Sequence, residues 1–376
     1  MGLQNGICGA FRGQSVLVTG HTGFKGSWLC EWLLALGARV TGLALDPPTQ
    51  PSLFHQLDLS SRMDDRRADV RNPEAVRLAF DEARPDYVFH LAAQPLVIQS
   101  YTEPVSTWET NVLGTIHVLE CLRHAHRPCA AVIVTTDKCY DNREWCHAYR
   151  EQDTLGGHDP YSSSKAAVEL AVESWRRSFF AADHPVRIAS ARAGNVIGGG
   201  DWAKDRLVPD AIRALGEGRP IPVRHPMATR AWQHVLEPLG GYLLLGACLA
   251  GAAPTPAPRD ALLGAFNFGP PLESNRTVRD VAEEILRHWP GAWEDRSEPS
   301  APHEAGFLNL AHEKAFHMLG WRPRWDFAET ISRTLEWYRE VSAGADPGGV
   351  TRRQIMSFTE ASGIRSSGAF SKGSAR

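Results

Sequence analysis

Short runs of consecutive apolar residues alternate along the chain with longer stretches in which apolar residues recur every three or four positions. Ser15–Thr19 (SVLVT) is the first such run and predicts a buried strand. Over 27–36, Trp28, Leu29, Trp32, Leu33 and Leu36 fall on one helical face, and Gly37 stands where a C-terminal cap belongs. A second strand is predicted at 39–45. The rhythm continues with a helix near 74–83, a strand at 87–91, a helix near 107–123, a strand at 130–135, a helix near 162–180 and a strand at 186–191. This alternation predicts an α/β fold, a doubly wound parallel sheet covered on both faces.

After Gly194 the rhythm breaks. Gly198, Gly199, Gly200, Pro209, Gly216, Gly218, Pro220, Pro222 and Pro226 punctuate a segment that reads as loops and short helices of a smaller second lobe. Residues 236–250 are helical again, 251–258 (GAAPTPAP) form a solvated linker, and 266–268 suit a late strand. Segments 277–289 and 327–341 are amphipathic. Residues 342–376 are rich in Gly and Ser and are expected to be a mobile tail with one short helix near 352–361. The expected division is 13–194 plus 232–268 for the Rossmann-type sheet domain, and 195–231 plus 269–341 for a C-terminal α/β substrate lobe.

The longest apolar stretch, near 239–253, is too short for a membrane span and reads as a buried helix. Residues 1–13 lack the charged start and apolar run of a signal peptide, so a cytoplasmic location is expected. The 40 basic and 43 acidic residues nearly cancel. No basic field points to nucleic acid or anionic membrane. The seven cysteines have no CxxC spacing and read as reduced thiols, with no metal site.

Gly20, Gly23 and Gly26 are spaced by three between a predicted strand and a predicted helix. The first permits a tight turn, the second lets backbone N–H groups approach a pyrophosphate, and the third allows close helix–strand packing. That placement predicts dinucleotide binding. Asp46 ends the second strand, where a carboxylate accepts from ribose hydroxyls and repels a 2′-phosphate, favouring NAD over NADP. Asp69, after a third short strand, is placed to reach the adenine edge.

Tyr161 and Lys165 stand at i and i+4, neighbours on one helix face, where an ammonium stabilises a phenolate. Thr135, Thr136, Asp137 and Lys138 follow an apolar strand. In a doubly wound sheet the strand C-termini line the ligand crevice, so an acid and a base fall there.

These elements, in this order, resemble the extended short-chain dehydrogenase/reductase superfamily and its NAD-dependent epimerase/dehydratase family. The strings GHTGFKGSWL (20–29), HLAAQPLV (90–97), TTDKCYDNREW (135–145), DPYSSSK (159–165), ARAGNVIGGGDW (191–202) and RAWQHVLEPL (230–239) narrow the resemblance to the CDP-glucose 4,6-dehydratases. FNFGP (266–270), PHEA (302–305) and LGW (319–321) are similar too, and the resemblance covers about 13–338. Ala311 departs from it where an Asp is expected.

The resemblance implies that NAD is held by Gly20, Thr22, Gly23, Phe24, Lys25, Gly26, Asp46, Asp69, Val70, Leu91, Ala92, Ala93, Gln94, Asn111, Tyr161 and Lys165. It implies that CDP-glucose meets Gln94, Asn195, Arg206, Arg230 and Asn267. Tyr161 takes the proton of the sugar 4-hydroxyl, with Lys165 lowering its pKa. Thr136 bonds the 4-oxygen, Asp137 protonates the leaving C6 hydroxyl, and Lys138 acts at C5. An amine serves as a base only when neutral; desolvation favours that form and Asp137 opposes it. No physical role is read for Lys25. A homodimer or homotetramer built through the helices near 107–123 and 162–180 is expected. The alternatives are a nucleotide-sugar 4-epimerase, which needs no acid at C6, and a non-catalytic NAD-sensing regulator, in which Tyr161 would be dispensable.

Overall fold

The computed structural model describes residue 7 and residues 9–180, 183–297 and 306–360. The PHEA string at 302–305, Cys8 and residues 361–376 lie outside the described residues.

Seven strands form the central sheet: β1 (Ser15–Thr19), β2 (Arg39–Ala44), β3 (Asp64–Arg67), β4 (Tyr87–His90), β5 (Cys129–Val134), β6 (Val186–Ala193) and β7 (Ala265–Phe268). Their order is β7-β6-β5-β4-β1-β2-β3, and every ladder is parallel. The winding reverses between β1 and β4, which opens a crevice beyond their C-terminal ends. β1, β4 and β5 are buried at every position, which is why their sequences are nearly continuous apolar runs. β3 (DDRR) is the opposite case. It is an edge strand, and four charges suit an edge that must not pair further.

Ten helices position the site: α1 (Phe24–Ala35), α2 (Pro73–Ala83), α3 (Pro104–Trp108), α4 (Gly114–Arg123), α5 (Pro160–Phe179), α6 (Leu207–Gly216), α7 (Leu236–Ala250), α8 (Val278–His288), α9 (Phe327–Ser342) and α10 (Pro347–Glu360). α5 starts on Asp159, whose carboxylate accepts from the Ser162 amide, with Pro160 in the first turn. After β6 the chain builds three two-stranded pairings. They join Val196–Ile197 to Gln233–His234, Thr229–Ala231 to Asn275–Thr277, and Ile221–Val223 to Trp293–Asp295.

Two expectations are corrected. The single helix expected over 107–123 is broken by a π turn at Glu109–Leu113 between α3 and α4. The turn carries Asn111, whose side chain is fully buried. The short helix expected near 352–361, in a tail otherwise read as mobile, is α10, a 14-residue helix that starts earlier, at Pro347, with Val350, Ile355 and Phe358 buried. The Phe358 ring meets Trp32 at 5.8 Å and Trp325 at 5.1 Å, and Arg352 reaches Glu31 at 3.1 Å. With α10 covering it, α1 is buried at every residue from Gly26 to Leu33 rather than on one face.

Candidate active site

One cavity of about 2130 Å³ runs from Asp46, along the glycine loop, past Tyr161 and out to Arg224 and Arg296. A site for one small molecule is typically about 300–1,000 Å³, so this cavity has room for two ligands.

The glycine loop forms its floor. Gly20 takes a positive φ of 76°, and a Cβ there would lie 2.7 Å from the Ala92 nitrogen. A Cβ on Gly26 would lie 2.1 Å from the Gly20 carbonyl oxygen. Only glycine lets the turn, β4 and α1 approach this closely, and the N-terminus of α1 is left facing the cavity, as a pyrophosphate requires. Thr22 donates to the Leu45 carbonyl at 3.0 Å, tying the loop to the end of β2. The residues present therefore fit a dinucleotide. Phe24, Asp69, Val70, Leu91, Ala92 and Ala93 line the same stretch. Asp69 is paired with Arg71 at 2.6 Å. Asp46 stands one residue beyond Leu45, past the end of β2, its side chain 92% exposed at the cavity mouth and 3.4 Å from Arg67.

Gln94 and Asn111 do not line the cavity. Gln94 Nε2 donates to the Leu96 carbonyl and to Thr107 Oγ1, and its Oε1 accepts from the Leu96 amide. Asn111 accepts from the Gln94 amide at 2.8 Å and donates to Ser164 Oγ at 2.8 Å. Together these bonds tie the 92–96 turn to Thr107 on α3 and to Ser164 on α5.

Asn267 is a second correction. It is fully buried within β7. Its Oδ1 accepts from the Tyr140 hydroxyl and its Nδ2 donates to the Tyr149 carbonyl. Every polar atom of the side chain is used inside the protein, so it offers nothing to a substrate.

The reactive groups meet where β5 ends. Thr136 caps a 3₁₀ turn at Asp137–Cys139, donates to Asp137 Oδ1 at 2.9 Å and shares a hydrogen bond with Tyr161. Lys138 Nζ lies 3.6 Å from Asp137 Oδ1 and 3.5 Å from Asn195 Oδ1. Thus Thr136, Asp137, Lys138, Tyr161 and Asn195 converge on one wall of the cavity. Tyr161 and Lys165 share a face of α5, but Lys165 Nζ points to the Val134 carbonyl at 3.4 Å. Burial pushes the Tyr161 phenol above its ordinary value, against the expectation that Lys165 lowers it. Burial also brings Lys165 down to about 8, with Glu169 opposing. Desolvation outweighs the Thr136 hydrogen bond and the Arg206 charge, which favour the phenolate.

Lys25 donates to the Tyr242 hydroxyl at 3.3 Å and lines the cavity. Burial, with Arg206 adding, lowers it to about 7 while Asp137 opposes. Arg206 pairs with Asp201 at 3.1 Å. Arg230 is buried and donates to its neighbour's carbonyl, that of Thr229, at 2.9 Å. Both line the outer half of the cavity with Arg219, Arg224 and Arg296. No cluster of three potential metal ligands exists among the described residues.

Sequence reasoning missed His21, Tyr242, Glu169 and Arg192. His21 turns away from the cavity onto Asp65 at 2.7 Å, its ring filling the space a side chain on Gly42 would need. Glu169 carried one signal, its place four residues beyond Lys165 on the same helix face.

The sequence from 16 to 245 matches the model of the NAD dependent epimerase/dehydratase family. The chain is 44% identical over 359 residues to the CDP-glucose 4,6-dehydratase of Salmonella typhimurium, covering 93% of this chain and 98% of that protein. It is 30% identical to the dTDP-glucose 4,6-dehydratase of Streptomyces antibioticus, covering 89% and 95%. Among solved structures, the dTDP-glucose 4,6-dehydratase DesIV of Streptomyces venezuelae, with NAD and TYD bound, superposes with a TM-score of 0.74. Its identity is 25%, over 89% of this chain and 99% of that one.

Proposed function

The chain belongs to the NAD dependent epimerase/dehydratase family, and from that membership we propose that it is a hydro-lyase converting CDP-glucose to CDP-4-dehydro-6-deoxyglucose and water. Cytidine as the base is supported by the 44% relative. The observation that carries the chemistry is the junction of Thr136 with both Asp137 and Tyr161, with Lys138 beside them.

NAD held there would supply a reversible hydride acceptor, taking hydride from C4 and returning it to C6. Tyr161 as phenolate takes the proton of the 4-hydroxyl, and Thr136 donates to the 4-oxygen. The new carbonyl acidifies C5–H. Lys138 faces that proton, and Asp137 gives its own to the departing 6-hydroxyl, so that water leaves. Gly20–Gly26 and Asp46 hold the cofactor. Arg206 and Arg230 suit the substrate pyrophosphate, Asn195 orients the sugar, and the lobe of 195–231 with 269–341 encloses it. A 4-epimerase would return hydride to C4 and leaves the Asp137–Lys138 pair without a task.

Val105, Trp108 and Leu113 on α3 and the π turn, and Leu170 on α5, are exposed apolar side chains. They suit two-fold pairing of copies into a homodimer or homotetramer. No described helix is long and apolar enough to cross a membrane, and a cytoplasmic site of action suits a nucleotide-sugar substrate.

The test uses CDP-glucose carrying deuterium at C4. The expected product is a 4-keto sugar, seen by its ultraviolet absorbance in alkali, with deuterium at C6 and no net change in NAD. A CDP-galactose product assigns the enzyme to the epimerases instead, and the absence of any turnover with bound NAD favours a sensing role.

A further inference from the structure

Beneath the loop that carries Thr136, Asp137 and Lys138 lies an ion pair that the proposed steps do not use. Glu169 on α5 and Arg192 on β6 meet at 2.8 Å, each side chain 3% exposed. Taking two charges out of water carries a large desolvation penalty, and apolar side chains of the same volume often stabilise a fold as well. Stability alone does not account for the pair.

Its hydrogen bonds reach both ends of the loop. Glu169 Oε1 accepts from the Thr135 hydroxyl, and Oε2 accepts from Ser190 Oγ at 2.7 Å. Arg192 Nη1 donates to the Tyr140 hydroxyl at 2.7 Å and to the Glu151 carbonyl at 3.0 Å. Its guanidinium lies 5.0 Å from the Tyr140 ring centroid. The Tyr140 hydroxyl itself donates to Asn267 Oδ1 at 2.8 Å. Thr135 immediately precedes the reactive residues and Tyr140 closes the turn after them. Glu169 also stands one helical turn beyond Lys165.

We propose that Glu169 and Arg192 are positioning residues, whose ion pair clamps both ends of the 135–140 loop against α5 so that Thr136, Asp137 and Lys138 stay in register with Tyr161, while Glu169 supplies the counter-charge for the Lys165 ammonium. The groups that face Lys165 electrostatically are Glu169, Cys139, His90 and Lys25. Burial keeps the Cys139 thiol protonated and brings His90 down to about 3, so both are neutral near pH 7. Lys25 is a cation or a neutral amine there, which leaves Glu169 as the anion of the set.

The proposal rests on the redox dehydration described above for its assay. The variants are Thr135→Val and Tyr140→Phe, each of which removes one hydroxyl, and Glu169→Gln, all studied as holoenzyme with NAD and sugar nucleotide. Thr135→Val and Tyr140→Phe are expected to lower kcat about 10-fold or more while KM changes by less than about 2-fold, because displaced reactive groups cost rate rather than uniform binding. Their alkaline pH limb stays in place and thermal melting changes little. Glu169→Gln is expected to lower kcat and also to move the alkaline limb of kcat to lower pH by about half a unit or more, since Lys165 loses its favourable neighbour. If Glu169→Gln fails to fold, the neutral pair Glu169→Gln with Arg192→Met gives the same reading of the limb. Wild-type kcat in both hydroxyl variants, or an unmoved limb in both Glu169 variants, overturns the proposal. The comparison is run on whichever nucleotide sugar the wild type oxidises, so a wrong substrate assignment shows itself in the wild type and leaves the test of the clamp intact.

Discussion

Lys138 Nζ lies 3.6 Å from Asp137 Oδ1 at the cavity wall. One backbone turn therefore presents an acid and an amine side by side to the same cavity. Lys138→Met, supplied with the 4-keto intermediate in heavy water, is expected to stop deuterium entry at C5 while C4 oxidation persists. Exchange at the wild-type rate would mean that Lys138 acts only as a cation beside the developing enolate.

Tyr161→Phe is expected to lower turnover by about 10²–10⁴-fold with substrate still bound, the usual effect of losing a general base. Burial raises the Tyr161 phenol and brings Lys165 down to about 8. Turnover should then fall above about pH 8 as the Lys165 ammonium, and with it the cation beside Tyr161, is lost. A pH–rate profile on both proteins checks this; a limb near pH 8 that survives Lys165→Met belongs to another group.

Asp46 and Arg67 stand 3.4 Å apart at the adenosine end of the cavity. The wild type should bind NAD more tightly than NADP, because Asp46 repels a 2′-phosphate. In Asp46→Ser the preference should narrow by about 10-fold or more, since Arg67 remains to meet the phosphate. Calorimetric titration with both dinucleotides decides it, and equal binding by the wild type would sink the assignment of Asp46.

Phe358 fills the space between Trp32 and Trp325. Phe358→Ala should cost about 3–5 kcal/mol of stability, the usual range for emptying a buried aromatic site. Urea unfolding reads it. A loss below about 1 kcal/mol would mean that α10 contributes little to holding α1.

Burial brings His90 and His234 down to about 3, so both stay neutral in the folded protein. Below their unfolded value of about 6.5 the unfolded chain binds protons that the folded one refuses. Stability present above pH 6.5 is therefore lost as the pH falls toward 3. Glu237, raised by burial to about 7, works the other way, its contribution full below its unfolded value and lost as the pH rises through 7. Melting temperature measured against pH should fall on acidification, less steeply in His234→Phe and more steeply in Glu237→Gln. Parallel curves in all three would place the titration elsewhere.

Local pattern determined much of this protein by itself. The apolar runs of β1, β4, β5 and β6 mark buried parallel strands because both faces of such a sheet are covered. The triplet Gly20, Gly23, Gly26 and the pair Tyr161, Lys165 are legible because a turn and a helix impose fixed spacings on residues close in sequence. Tertiary structure alone decided what depends on residues far apart in the chain. A third short strand before Asp69 is expected, but the DDRR sequence of β3 has no apolar period, and only pairing with β2 gives it its bounds and its place at the sheet edge. The helix near 352–361 is legible, but its start at Pro347 and its docking through Phe358 depend on Trp32 and Trp325. Asn267 looks like a substrate contact until Tyr140 and Tyr149, more than a hundred residues earlier, take up its amide. The direction of the Tyr161 shift was likewise beyond the sequence, because spacing predicts a neighbouring charge whereas desolvation is set by everything packed around the ring.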